Sequence, residues 1–458
     1  MLMPATFFSS ALNRLLPDTI TLVSENIHIA NHAITDLVEQ YGTPLYIFDE
    51  ATIKSACEQY RCAFSEDYTL SDVHILYASK AYLSPMLAKL IAEQGMGLDV
   101  VSGGELLVAQ YAHFPMERVS FHGNNKSEDE LRLALKLGVG RIVLDNWDEL
   151  ERLTRLAREM HTRPRVLLRV APSVETETHR YLQTGHAAAK FGFPLENGNA
   201  KSALLRLLQD DVLDVIGLHA HSGTMLRETR PYAECLERLL TLAYEVYQES
   251  GWWLREVSPG GGWAVDTVDT LDTTTPDIRE LARSLQQTMQ RSLSSMSDAT
   301  LPVPTLIIEP GRSIIARAGV AVYCVGARKV TPGGITYLFV DGGMADNIRP
   351  ALYDAKYTAL PVQGATRPTQ ETVCISGRYC ESGDMLIDAV SLPRMKEGEL
   401  VLLPTAGAYC LPMASNYNLV PRPAVLLVSE EHVQLMERRE TYQDLMTRYT
   451  QVSEPVDE

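Results

Sequence analysis

Three things are missing from this chain, and each absence removes a class of protein. No apolar run approaches the length that crosses a bilayer, and the first twenty residues hold a short apolar patch without a basic leader, so neither a signal peptide nor a membrane span is expected. Paired Cys-x-x-Cys spacings are absent: the seven cysteines, at 57, 62, 235, 324, 374, 380 and 410, are odd in number and scattered. That pattern argues against a disulfide framework or a structural zinc site and fits a reducing compartment, with the cytoplasm as the expected location. An excess of positive charge is also missing. With 41 Lys and Arg against 58 Asp and Glu, the formal net charge is −17, which repels nucleic-acid backbones and anionic membranes. The expected partner is a small molecule.

What is present is length, 458 residues, and a rhythm. That length calls for two domains. Eight short apolar strands are predicted at 74–79, 97–102, 118–123, 141–146, 165–170, 215–221, 254–259 and 304–309, with helical periodicity between them. Strand alternating with helix eight times is the arithmetic of a parallel (β/α)8 barrel. One crossover is long: residues 173–192 form a polar, helix-poor insertion after the fifth strand, the kind of segment that often joins an active-site rim. Beyond Arg312 the texture turns to short β patterns separated by Pro332-Gly333-Gly334 and Asp341-Gly342-Gly343, which predicts a separate β domain.

In such a barrel the C-terminal strand ends face one shared site. Here they supply Lys80, Ser102, His122 with Gly123, Asn124 and Asn125, Asp145, Arg169, His221, Gly260 to Gly262, and Glu309 with Pro310, Gly311 and Arg312. A lysine ending an apolar strand is ordinarily solvated, a glycine triplet is ordinarily a tight turn, and a lone histidine is ordinarily a hydrogen-bonded structural residue. Together they permit a different reading. Glycines after strands seven and eight let backbone N–H groups approach a phosphate, and an arginine adds a bidentate charge. A lysine that forms a Schiff base, a carboxylate that keeps a pyridine nitrogen protonated, and a phosphate cradle suit pyridoxal 5'-phosphate.

The motifs YASKA (77–81), GLDVVSGGEL (97–106), FHGNNKS (121–127), EPGRS (309–313), RPALY (349–353), CESGD (380–384) and GAY (407–409) resemble those of diaminopimelate decarboxylases, in the group of pyridoxal-phosphate enzymes that also holds alanine racemase and eukaryotic ornithine decarboxylase. The resemblance runs from about Thr43 to Tyr442, nearly the whole chain. It implies an alanine racemase-like arrangement: an N-terminal segment, 1–45, joining the β domain, a cofactor-binding barrel over 46–312, and a C-terminal β domain over 313–458. It implies a homodimer with shared active sites. By position, Lys80 would bond the cofactor, Glu309 would pair the pyridine nitrogen and His221 would stack on the ring. Gly260, Gly261, Gly262, Gly311, Tyr409 and Thr224 would hold phosphate, and Arg312 would lie at the cofactor as well as the substrate. Arg312, Arg349 and Tyr353 would take substrate carboxylates, Tyr409 lining the same site. Cys380 would donate a proton and Glu381 would anchor a distal ammonium, both across the dimer interface; otherwise a free cysteine is usually a small buried hydrophobe.

The implied reaction is decarboxylation of meso-2,6-diaminopimelate to L-lysine. Three departures bear on the substrate: Ser222, Thr224 and Met225 after His221, Ala189 before Lys190-Phe191-Gly192, and Trp263 after the glycine triplet, where the family has other residues. They keep open a paralogue acting on D-lysine, D-ornithine or a carrier-linked acid. A catalytically dead regulator is the remaining alternative, opposed by the presence of both Lys80 and Cys380.

Overall fold

The computed structural model describes residues 8–174, 190–268, 277–298 and 300–450. Most of the insertion at 173–192, with Ala189, lies outside them. In its described parts the chain divides into two compact units: one from Ile53–Val265 and Asp272–Ala316, the other from Met1–Thr52, Asp266–Leu271 and Arg317–Glu458.

The first unit is a closed ring of eight parallel strands: β1 (Val73–Ala78), β2 (Gly97–Val100), β3 (Val119–Phe121), β4 (Arg141–Leu144), β5 (Arg165–Ala171), β6 (Asp214–His219), β7 (Glu256–Gly260) and β8 (Thr305–Ile308). Closure comes from β8 pairing with β1 at Leu306↔Val73. Inside, Leu76, Val143, Leu167, Ile216 and Ile307 meet in a buried layer, the branched packing that fills such barrels. Each strand of this ring overlaps a predicted one, because buried parallel strands read as continuous apolar runs.

The connecting helices start where the sequence places polar caps just past the strands. Ser84 caps Pro85–Glu93, Ser102 caps Gly103–Tyr111, Asn146 caps Trp147–Glu159, and Ser127 and Glu130 form a reciprocal capping box at Glu128–Leu137. Ser102 is thereby accounted for: its Oγ accepts the Glu105 N–H at 3.2 Å, so its place at a strand end is a helix start and not site chemistry.

The second unit holds a nine-stranded mixed sheet and a three-stranded antiparallel one. Its core joins Leu16, Ile20, Ile27, Ile29 and Leu37 to Val320, Val322, Leu402 and Leu426. The strand Leu45–Asp49, buried along its whole length, lies between Gly319–Val330 (antiparallel) and Ala424–Val428 (parallel). Residues 46–52 therefore pack with the β unit, and 313–316 with the barrel, which moves both expected boundaries by a few residues. The apolar run 45–48 resembles a barrel strand in composition alone; its pairing partners decide its place.

Candidate active site

The strand ends converge on a buried polar group. Lys80 follows β1 in a single 3-10 turn, Ser79–Ala81, and its Nζ lies 2.6 Å from Asp99 Oδ2 in β2. Asp99 is 1% exposed and its Oδ1 is buried without a hydrogen-bond partner. His122, beyond β3, stands with its Nε2 3.6 Å from Asp99 Oδ1 and 3.7 Å from Glu309 Oε1. Glu309, beyond β8, accepts from Ser258 Oγ at 3.1 Å and pairs with His219 Nε2 at 3.0 Å. Burial alone would raise the Glu309 carboxyl, but His219 and His122 outweigh it and bring it to about 2, so it is ionised at neutral pH. His122, by contrast, is pushed well below the usual histidine range, chiefly by burial.

His221 lies just past β6. Its Nδ1 accepts the Gly261 N–H at 3.2 Å, which fixes the ring plane, and burial with the nearby Lys80 and Arg169 charges lowers it to about 3, keeping the imidazole neutral. The glycine triplet is shaped by close backbone approach. A Cβ on Gly261 would sit 1.9 Å from the Glu309 carbonyl oxygen and one on Gly262 2.0 Å from that of Gly223, while Gly262 itself has φ +110°. Leu226 N–H donates to Gly262 O at 2.9 Å and Ala264 N–H to Leu226 O at 3.0 Å, so the segment carrying Thr224 runs beside the triplet. Gly311 packs against Ala78, whose Cβ would lie 2.9 Å from a side chain there, and Arg312, 8% exposed, follows it. Lys80, His221, Thr224, Gly260 to Gly262, Glu309, Gly311 and Arg312 thus all stand at the C-terminal ends of β1, β6, β7 and β8 or in the loops that follow.

The departures have local explanations in part. Trp263 is buried and packs its ring 5.6 Å from that of Tyr232, stiffening the segment behind the triplet. Ser222 is buried, and Met225 takes a left-handed φ of +60°. Nothing in the structure explains why Thr224 carries its extra methyl.

The remaining expected residues belong to the second unit. Arg349 opens the helix Arg349–Tyr353, with its guanidinium 5.6 Å from the Tyr353 ring and 5.7 Å from that of Tyr409. Cys380 and Glu381 lie elsewhere in that unit, exposed on the turn between Glu371–Ser376 and Met385–Leu392. Sequence reasoning missed Asp99, His219 and Ser258 as partners of the site. Asp99 and Ser258 sit inside strands, and His219 precedes by two residues the histidine that the strand-end rule selects. Their signal was a polar side chain within a buried parallel strand.

An accessible amine 2.6 Å from the Asp99 side chain, an orphaned acceptor at Asp99 Oδ1, and a glycine cradle fit an aldehyde cofactor bearing phosphate. His122, His219 and Glu309 also offer three ligand atoms within 4.8 Å of one another, although Glu309 already pairs with His219 and Ser258.

The family described as pyridoxal-dependent decarboxylase, pyridoxal binding domain, matches residues 50–316, which defines the class of protein: a pyridoxal-dependent decarboxylase. The chain is 40% identical over 410 residues to a diaminopimelate decarboxylase of Bacillus subtilis, covering 90% of this chain and 92% of that one. It is 38% identical over 442 residues to that of Synechocystis, covering 94% and 92%. A crystal structure of diaminopimelate decarboxylase from M. jannaschii in complex with L-lysine shares 32% identity at a TM-score of 0.87, covering 94% of this chain and 97% of that one. The chain belongs to the diaminopimelate decarboxylase family. A lysine/ornithine decarboxylase from Vibrio vulnificus, 22% identical at a TM-score of 0.70, shares the fold.

Proposed function

We propose that this chain removes one carboxylate from meso-2,6-diaminopimelate to give L-lysine and carbon dioxide. The observation that carries this reading is identity of 40% to a diaminopimelate decarboxylase across nine-tenths of both chains. Pyridoxal phosphate, when bound, supplies a protonated ring that draws in the electron pair left when the carbon–carboxylate bond breaks.

The residues divide the rest of the work. Lys80 would hold the cofactor through its Nζ, an amine that Asp99 orients at 2.6 Å. Glu309, ionised because His219 and His122 stand beside it, would hold a proton on the cofactor's ring nitrogen. The neutral His221 ring, fixed by Gly261, offers a flat face to the cofactor. Gly260, Gly261, Gly262, Thr224, Gly311 and Tyr409 take the phosphate. Arg312, Arg349 and Tyr353 take carboxylates, and fixing their direction decides which bond breaks. Cys380 gives its Sγ proton to the carbon that lost carbon dioxide, and Glu381 anchors the distal ammonium. Cys380 and Glu381 act across the interface of a homodimer, in the cytoplasm.

Carbon dioxide release from meso-diaminopimelate, D-lysine and D-ornithine by the pyridoxal-phosphate-loaded protein tests the substrate. Preference for the first is expected; equal or better turnover of either D-amino acid would overturn it. Mixing inactive Lys80→Ala and Cys380→Ala proteins under subunit exchange should restore activity, and no recovery refutes the shared site.

A further inference from the structure

Arg349 is 7% exposed, and among the described residues no carboxylate pairs with it. A buried guanidinium without an anion is costly unless something else holds it or a ligand completes it. What holds it is neutral. Its Nε donates to the Tyr357 hydroxyl at 3.1 Å, and the rings of Tyr353 and Tyr409 flank the guanidinium. Tyr357 is itself buried, 5% exposed, and its oxygen lies 3.6 Å from Cys410 Sγ, the residue after Tyr409. The phenol can accept from Arg349 and donate to the Cys410 sulfur at once, so one hydroxyl joins the helix of Arg349 to the turn of Tyr409.

The chemistry of this arrangement is selective. A carboxylate in place of Tyr357 would cancel the positive charge that a substrate carboxylate needs. A phenol leaves the charge intact, occupies Nε alone, and leaves the two Nη groups to act as a fork for a planar anion. We propose that Tyr357 is a positioning residue: it sets the direction of the Arg349 fork toward a substrate carboxylate, and through Cys410 it keeps that fork in register with Tyr409. The inference rests on Arg349 being a carboxylate-binding residue.

The test uses the cofactor-loaded full chain with Tyr357→Phe, Cys410→Ala and Arg349→Lys in parallel. Removing one hydrogen bond to a charged group should raise KM for meso-diaminopimelate about tenfold in Tyr357→Phe. Its kcat and the absorbance band of the bound cofactor should stay as in the parent, and calorimetry should show a matching loss of L-lysine affinity. Cys410→Ala, which leaves the Arg349 bond in place, should raise KM about two- to threefold. It also carries the test if Tyr357→Phe does not fold: an unchanged KM and L-lysine affinity in Cys410→Ala then counts against the coupling. If Tyr357→Phe lowers only the melting temperature, or leaves KM and L-lysine affinity unchanged while Arg349→Lys raises KM and weakens L-lysine binding, the positioning role is overturned. If Arg349→Lys also leaves both unchanged, it is the carboxylate role of Arg349 that fails.

Discussion

The two ends of the barrel bury charge on different terms. At the N-terminal end, Arg141 from β4 grips Glu256 of β7 with two bonds, Nε to Oε2 at 2.8 Å and Nη2 to Oε1 at 2.9 Å, and Nη2 also donates to His74 Nδ1 of β1 at 3.3 Å. None of the buried polar atoms of these three side chains lacks a partner. At the C-terminal end, Asp99 Oδ1, His122 Nε2 and His219 Nδ1 are all buried without one. Buried polar atoms are nearly always satisfied in folded proteins, so a cluster of exceptions marks where a ligand completes the structure. Charge paired within the fold ties distant strands together; charge left open serves chemistry.

Two substitutions would break that contrast if it is wrong. Lys80→Ala should abolish the visible band of the bound cofactor and lower kcat on the order of 10³-fold, the scale of losing a group that reacts directly. A band that persists removes Lys80 from its role. At the other end, Arg141→Met leaves Glu256 buried and uncompensated, which should cost about 3–5 kcal/mol of stability in a denaturant titration while the folded fraction keeps its KM. The double change Arg141→Met with Glu256→Leu should recover most of the loss, since an apolar pair replaces an ion pair at little cost. Loss of cofactor binding in a folded Arg141→Met protein would show that the lower cluster serves the site after all.

The barrel was legible because each of its strands is a short apolar run closed by a capped helix, signals local in sequence. Lys80, Glu309 and the glycine triplet were legible because the fold sends strand ends to one place. Asp99 was not: it sits inside β2, and only the pairing of β2 beside β1 sets it under Lys80. The same non-locality hid the Arg141–Glu256 pair, whose members stand 115 residues apart. It also decides the place of the strand Leu45–Asp49, whose composition fits either sheet. In the strand Met385–Leu392, Asp388, exposed at an open edge of the sheet, interrupts the apolar run that would mark the strand in sequence.

The smallest expected effect sharpens the contrast from its margin. Burial, then the Arg141 charge, hold His74 below its ordinary 6.5, while Glu256 and Asp72 oppose them. A histidine whose folded value is depressed binds its proton more weakly in the native state than in the unfolded one. Its contribution to stability is therefore complete above pH 6.5 and is lost as pH falls below that value. The side chain is 45% exposed, so solvent screening keeps the effect small. His74→Gln, which keeps an acceptor for Arg141 but cannot titrate, should flatten the fall of melting temperature between about pH 6.5 and pH 5 by a degree or two. Because His122 and His221 are depressed in the same direction, the difference between the two proteins is the quantity to measure, not either curve alone. Identical slopes would mean that protonating His74 leaves the Arg141–Glu256 grip untouched, and that the lower cluster is the ion pair alone.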